Sequence, residues 1–319
     1  MSNICSYYGV NPNTYRKFYK NTQSGFKDWE QYRHCDSYML FPENIGSHLS
    51  IDEVALSKGE LYTIVSNKAG KGKKGTLVAC IAGTKAETIT GVLQRLPVRK
   101  RKQVQEVTLD MAPNMALATK ESFPMARLVT DRFHVVRLAL EAVQHIRTQF
   151  RWQEMDIEND LIKKAKNEKV KYIPKTLKNG DTPKQLLARS RYILAKKESQ
   201  WTQKQKERAQ ILFAKYENLK LAYDHVIKLR AIYEEKYHID ALTRLKHWIN
   251  DTRKLKIKQF NSVANSIENH FETILNFFYL RSTNANAESF NSKIKLFRAN
   301  QRGVTDTKFF LFRLMKLFA

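Results

Sequence analysis

Cysteine is scarce in this chain of 319 residues: Cys5, Cys35 and Cys80 stand far apart. No C-x-x-C pair exists, which excludes a zinc ribbon and a disulfide framework. Reduced thiols fit a cytosolic setting. Acidic residues are also in short supply, 31 against 56 Lys plus Arg, giving a formal charge of +25 and a pI near 9.9. A surface so one-sided repels itself and calls for an anionic partner. Nucleic acid comes first, because each phosphate neutralised releases counterions. An anionic membrane comes second, but the basic residues are spread along the chain instead of lining one amphipathic helix. No apolar run is long enough to cross a bilayer. The apolar segment Phe309–Phe318 is interrupted by Arg313 and Lys316 and reads as a core-facing helix. The residues from Met1 do not read as a signal peptide. Apolar content is ordinary, and the length suits two domains or one large domain with an insertion.

What is present is organised around Glu106–Val136. Two β-like runs, Glu106–Leu109 and Arg127–Thr130, each end in an aspartate, Asp110 and Asp131. Between them Met111–Phe123 reads as a helix that must stop before Pro124. In open α/β sheets functional groups collect at the carboxyl ends of strands, so two such acids predict carboxylates on one rim. An aspartate after a strand reads equally well as the cap of the next helix.

Upstream, residues 1–45 form a short helical segment. Cys5–Tyr8 and Thr14–Tyr19 flank the turn Gly9-Val10-Asn11-Pro12-Asn13, the layout of a helix-turn-helix remnant or of a plain helical hairpin. Tyr15, Phe18, Tyr19, Phe26 and Trp29 are its candidate core. His48–Leu56, Leu61–Ser66 and Thr76–Ala82 read as a β-meander, with a turn at Lys58-Gly59. Within the first strand lie Asp52 and Glu53. One of two neighbouring strand residues must face away, and the alternation does not settle which. A charged residue in a central strand is costly unless paired or bound to a metal. The run Ala69–Thr76 invites a phosphate-loop reading but lacks the lysine after its last glycine and lies between strands. It reads as a basic hairpin tip, with Lys71, Lys73 and Lys74 facing a phosphate backbone. Ala86–Leu96 reads as a helix, and Arg99, Lys100, Arg101 and Lys102 as a basic surface loop. Three antiparallel strands, helix, strand, helix, strand, helix is the order of an RNase H-like α/β fold, here spanning 46–150.

A helix continues over Phe133–Phe150, and residues 151–180 are charged and poorly periodic, ending at Asn179-Gly180-Asp181. Pro183–Lys197, Thr202–Tyr237, Ile239–Leu255 and Phe260–Phe278 read as helices, an all-helical insertion over 151–278. Ala222, Val226, Leu229 and Tyr233 form one apolar stripe. Residues 279–319 return as helices that complete the core. Asn284 or Asn286 can cap the first of these. On it Glu288, Asn291, Lys295 and Arg298 share one side, and Phe290, Ile294 and Phe297 the other.

These pieces resemble bacterial insertion-sequence transposases of the ISL-three type, members of the DDE group. The resemblance rests on Ile51-Asp52-Glu53, on Leu109-Asp110-Met111, on Phe123-Pro124 with Val129-Thr130-Asp131-Arg132-Phe133-His134-Val135-Val136, and on Asn284-Ala285-Asn286-Ala287-Glu288 with Asn291, Lys293-Ile294-Lys295 and Arg298. It implies a catalytic triad of Asp52, Asp110 and Glu288, with Asp131 and His134 in a supporting D-x-x-H element. The residues alone leave Asp110 and Asp131 equivalent; the resemblance prefers Asp110. Family members carry a longer N-terminal region with a cysteine-rich zinc module. Its absence here leads us to expect either a truncated chain or a separate upstream zinc and helix-turn-helix protein. After Arg298, Gly303 matches, but Val304 stands where an aromatic is usual.

Three converging carboxylates repel each other unless a cation joins them, and hard oxygen ligands select Mg²⁺ or Mn²⁺. The expectation is two ions, bridged by Asp52 and held singly by Asp110 and Glu288. The chemistry expected is hydrolysis at the ends of the element, then attack of the freed 3′-OH on target DNA, both in-line phosphoryl transfers. Expected partners are the terminal inverted repeats, target duplex and further copies of the chain on DNA, in a bacterial cytoplasm at the nucleoid. A nuclease or resolvase without strand transfer, or a non-catalytic DNA binder, would share much of this sequence. Asn291, Lys295 and Arg298 join the hairpin tip and the 99–102 run as candidate DNA contacts.

Overall fold

Alternating apolar residues in short β-branched runs build one six-stranded mixed sheet in a computed structural model describing residues 2–56, 59–301 and 306–319. Lys58 of the expected turn, and the Gly303 and Val304 comparison, lie outside the described residues. The strands are β1 (Tyr38–Leu40), β2 (His48–Ala55), β3 (Leu61–Asn67), β4 (Leu77–Ala82), β5 (Glu106–Leu109) and β6 (Arg127–Thr130). Their order is β1-β4-β3-β2-β5-β6. The pairs β1–β4, β4–β3 and β3–β2 are antiparallel, and β2–β5 and β5–β6 are parallel. Edge strand β1 was hidden from the sequence by its three-residue length.

The chain forms two compact units, residues 1–131 with 282–319, and residues 132–281. The sequence boundaries stood at 150 and 279. In the first unit two short helices open the chain, α1 (Ser2–Tyr7) and α2 (Pro12–Phe18). Asn11 caps α2, and the turn uses Gly9 at φ 62°, a conformation open to glycine. Of the aromatics expected in the core here, Phe18 and Tyr19 are exposed. Only Phe26 is buried, against Phe309 and Phe312, with Trp29 against Phe312. The segment takes its core from the far end of the chain, a long-range contact that local pattern does not reveal.

On one sheet face lie α3 (Ala86–Leu93) and α5 (Pro113–Ser122), with the short α4 (Val98–Lys102) between them in the chain. Leu49, Ile51, Ile81, Val107 and Leu109 pack there with Ile89, Leu93, Met115 and Phe123. Pro113 opens α5 at a position where its missing N–H is harmless. Arg99–Lys102, expected as a loop, forms a helical turn after Pro97, consistent with the helix propensity of Arg and Lys.

The second unit begins with α6 (Arg132–Asn167), 36 residues long. Periodicity predicts its end at Phe150. It runs on because residues 151–167 contain no proline or glycine and are mostly strong helix formers. Then follow α7 (Pro183–Arg189), α8 (Gln203–Lys215), α9 (Glu217–Ile232), α10 (His238–Lys254), α11 (Lys258–Asn269), α12 (Phe271–Leu275) and α13 (Phe277–Leu280). Thr182 and Thr202 each close a capping box, satisfying first-turn donors. Asp181, in the expected turn, is buried and paired with Arg189 and Arg208. The expected single helix over 202–237 is two, broken at Tyr216, whose hydroxyl donates to Glu154 at 2.7 Å while its ring meets Phe150. The expected helix over 260–278 is three, broken at His270 and Asn276. The stripe Ala222, Val226, Leu229 and Tyr233 is buried, as its period requires.

The chain re-enters the first unit as α14 (Ala285–Asn300) and α15 (Thr307–Phe318). They cover the other sheet face, where Val54, Tyr62, Ile64 and Leu77 meet Phe290, Ile294, Phe310, Leu311 and Leu314. Asp306 caps α15 by accepting from the Phe309 N–H at 2.9 Å.

His225 sits in the core of the second unit, stacked on Trp248 and hydrogen-bonded through Nε2 to Thr252 at 2.5 Å. Burial first, and then Lys228, push its pKa down to about 4, against a weaker pull from Asp251. Between pH 6.5 and 4 the unfolded chain therefore binds a proton that the folded chain does not, so stability rises with pH across this window. Thermal unfolding should show the wild type losing up to about 3 kcal/mol as pH falls from 6.5 towards 4. His225→Phe should remove that part of the pH dependence; equal slopes for both proteins would refute the assignment.

Candidate active site

Parallel pairing sets the geometry of the sheet rim. Ser50 lies opposite Thr108, and Leu109 opposite Thr130. Asp52 lies in β2 two residues past its last pairing with β5, and Asp110 and Asp131 directly follow the neighbouring parallel strands β5 and β6. The Asp131 N–H donates to the Leu109 carbonyl at 2.9 Å, extending the pattern past β6.

The faces of β2 settle what alternation left open. Leu49 and Ile51 belong to the core under α3 and α5, Val54 to the core under α14. Asp52 therefore turns towards α14, where its Oδ2 accepts from Asn291 Nδ2 at 2.6 Å. Its Oδ1 accepts from the Glu53 N–H at 2.8 Å. Glu53 turns the other way, towards Asp110 and the Asn114 amide of α5. Burial first and the Asp110 charge second raise its pKa, while Asn114 opposes them. Asp110 Oδ1 accepts from the Ala112 N–H at 2.8 Å, so this side chain also braces the turn into α5, as aspartates at such turns do.

Glu288, in the first turn of α14, is half-buried, and one of its carboxylate oxygens lies within 4.8 Å of one from Asp131. Among the described residues neither Asp52 nor Asp110 belongs to a group of three or more metal-ligating side chains at that spacing. His134, also half-buried, stands three residues past Asp131 in the first turn of α6. Asp131 is only 2% exposed. A carboxylate so buried needs a compensating charge, and Lys68 supplies one: the Asp131 charge favours the Lys68 ammonium, after the stronger pull of Glu106. Lys68 Nζ donates to Glu106 at 3.2 Å and, closer, to Thr108 Oγ1. Burial outweighs these anions and lowers the Lys68 pKa.

Helix α14 differs from its expected layout. Residues 284, 287, 291, 294 and 298 form its buried stripe, a heptad-like spacing that keeps to one helix side. Asn291 and Arg298 thus point inward with Ala287 and Ile294, and not outward with Lys295. Arg298 pairs with Glu60 and stacks on Phe310. Asn284 stands at the N-cap but makes no side-chain cap bond; its amide is buried without a protein partner. Lys293 donates to the Gly72 carbonyl at 2.9 Å, tying the helix to the hairpin tip.

The candidate DNA contacts divide on the same grounds. Lys71, Lys73, Lys74, Arg99, Lys102 and Lys295 are exposed. Lys100 is spent on the Pro42 carbonyl, and Arg101 on the Leu96 and Ser122 carbonyls. Sequence reasoning missed Lys68, Glu106 and Asn114, and misjudged Asn291. Glu106 did carry a signal: a glutamate in a four-residue strand flanked by other strands needs a buried cation.

Residues 49–314 match the model of a transposase family. The chain is also similar to the transposase for insertion sequence element IS1001 from Bordetella parapertussis, 22% identical over 274 residues. That similarity covers 85% of this chain but only 61% of the relative, so this chain spans under two thirds of the longer protein. With a family match extending over most of its length, from the first strand that carries an acid to the last helix, the chain belongs to the transposases of the ISL-three type.

Proposed function

We propose that this chain catalyses phosphoryl transfer on DNA, cutting at the ends of a mobile element and joining the freed 3′-OH to target DNA, on an RNase H-like core. One observation supports the reading: adjacent parallel strands β2, β5 and β6 carry or lead into Asp52, Asp110 and Asp131, while α14 brings Glu288 to Asp131 and Asn291 to Asp52. The sheet order supports the fold. Strands β2, β3 and β4 form an antiparallel meander, and β5 and β6 add in parallel on its other side.

The donor set fits a hard divalent cation. The proposed ligands are carboxylates, in a chain whose net charge is +25, and two carboxylates, Asp131 and Glu288, come within 4.8 Å of each other. Asp52, Asp110 and Glu288 would hold Mg²⁺ or Mn²⁺, two ions in the fullest form, with Asp131 and His134 flanking. Bound there, such ions activate an attacking oxygen and offset charge on the leaving one.

The chain's own groups supply position. The Asn291 amide fixes the Asp52 carboxylate, and the Ala112 N–H fixes that of Asp110. Lys68 holds charge balance beneath Asp131. Lys71, Lys73 and Lys74 on the tip, with Arg99 and Lys102 on α4, offer exposed cations to a phosphate backbone. Positioning and electrostatics carry most of the catalysis in phosphoryl transfer.

Substituting Asp52→Asn, Asp110→Asn or Glu288→Gln should lower strand cleavage of DNA carrying the element's ends by about 10²-fold or more, with DNA binding retained. Cleavage that survives Asp110→Asn but not Asp131→Asn would move the triad to Asp131. Cleavage without joining in the wild type would favour a nuclease, and binding unaffected by all four acids without any cleavage would favour a pure DNA binder. Separately, the double change Arg99→Ala with Lys102→Ala should shallow the salt dependence of DNA binding by about 2 in log–log slope. Lys100→Ala should instead lower the unfolding temperature with little change in slope; the reverse pattern would refute this division.

A further inference from the structure

One side of α14 is a ridge of oxygen-bearing side chains. Asn284, Glu288 and Asn291 follow each other at i, i+4 and i+7, a spacing that makes successive side chains neighbours on a helix. Two of the three have their counterparts. Asn291 donates to Asp52 at 2.6 Å, and a Glu288 carboxylate oxygen lies within 4.8 Å of one from Asp131. Asn284, at the head of the ridge, has none. It is 0% exposed, and neither Oδ1 nor Nδ2 has a hydrogen-bond partner. Asparagine is a favoured N-cap, yet this one makes no cap bond to the first turn of α14. Asn291 repeats the pattern in part, since its Oδ1 is also buried and unpartnered.

An amide buried with both atoms unpaired destabilises a fold, and an apolar side chain of similar shape would not. Such a group in a folded protein calls for a partner from outside the chain. The start of a helix ordinarily attracts anions. A phosphate, however, would need an open approach that the buried Asn284 lacks, and Glu288 one turn further on would repel it. A bare cation meets neither obstacle. The amide carbonyl is a hard oxygen of the kind that completes a divalent cation's shell beside carboxylates. We propose that Asn284 is a further ligand of the cation site, its Oδ1 joining the Glu288 carboxylate on the same ion. The inference rests on the reading of the carboxylates as a cation site. It adds a neutral ligand where that reading has only acids, and it gives the unpaired amide its partner.

Calorimetric titration of the full chain with MnCl₂, without DNA, tests this alongside thermal unfolding in the absence of the ion. Asn284→Leu should bind Mn²⁺ about tenfold or more weakly. Without the ion it should unfold at the wild-type temperature or above, because an unpaired buried amide has been removed. Asn284→Asp, which puts a charged oxygen at the same place, should bind at least as tightly as the wild type. In a Glu288→Gln background, Asn284→Leu should cost less affinity than it does alone, since both side chains act on one ion. A leucine variant with wild-type affinity overturns the proposal and leaves the carboxylate reading standing. Loss of affinity accompanied by a fall in the ion-free unfolding temperature overturns it too, as the sign of a structural role, and so does an aspartate variant as weak as the leucine one. A wild type that binds no Mn²⁺ overturns both the proposal and the reading beneath it.

Discussion

The site depends on one constraint, the parallel register of β2, β5 and β6. Backbone hydrogen bonds fix which residues stand side by side, and a one-residue slip would turn every side chain to the opposite face. Buried apolar residues on both faces, Ile51 and Leu109 beneath α3 and α5, and Val54 beneath α14, hold that register. The acids take their places on the strands from the core that holds those strands in register. Asn291 on Asp52 is the bond that locks α14 to the rim.

Electrostatics explains why so basic a chain keeps its acids where it does. Neighbouring carboxylates repel one another, and burial first and the Asp110 charge second raise the Glu53 pKa. Yet the lysines and arginines that could neutralise them are mostly engaged elsewhere. Arg298 is taken by Glu60, Lys100 and Arg101 by backbone carbonyls, Lys293 by the hairpin tip. Lys68 does act against Asp131, and it is shared with Glu106.

Much of this was legible in the sequence because it is local or periodic. The strands ending at Asp110 and Asp131, the meander before them and the stripe from Ala222 to Tyr233 follow from alternation and helical period. What escaped depends on contacts far apart in the chain. Nothing near Tyr216 announces a helix break, or that its hydroxyl donates to Glu154, 62 residues away. Nothing near Phe26 shows that its partners are Phe309 and Phe312. Asn291 and Arg298 looked outward because their types suggested phosphate contacts, whereas partners at Asp52 and Glu60 draw them in. Asp52 and Glu53 could be separated only once the two cores showed which face each joins.

The helical unit bears on the same problem from another side. The first unit's chain breaks off at Asp131 and resumes at Ser282, yet carboxylates of Asp131 and Glu288, on either side of that break, lie within 4.8 Å. Closing a flexible loop of this length would cost entropy each time the site assembled. The intervening chain avoids most of that cost by being folded, with its own buried core of Leu186, Leu219, Leu229, Leu245 and Phe260. An insertion built this way can grow without disturbing the register of the strands that carry the acids. What it must preserve is only where the chain leaves and where it returns.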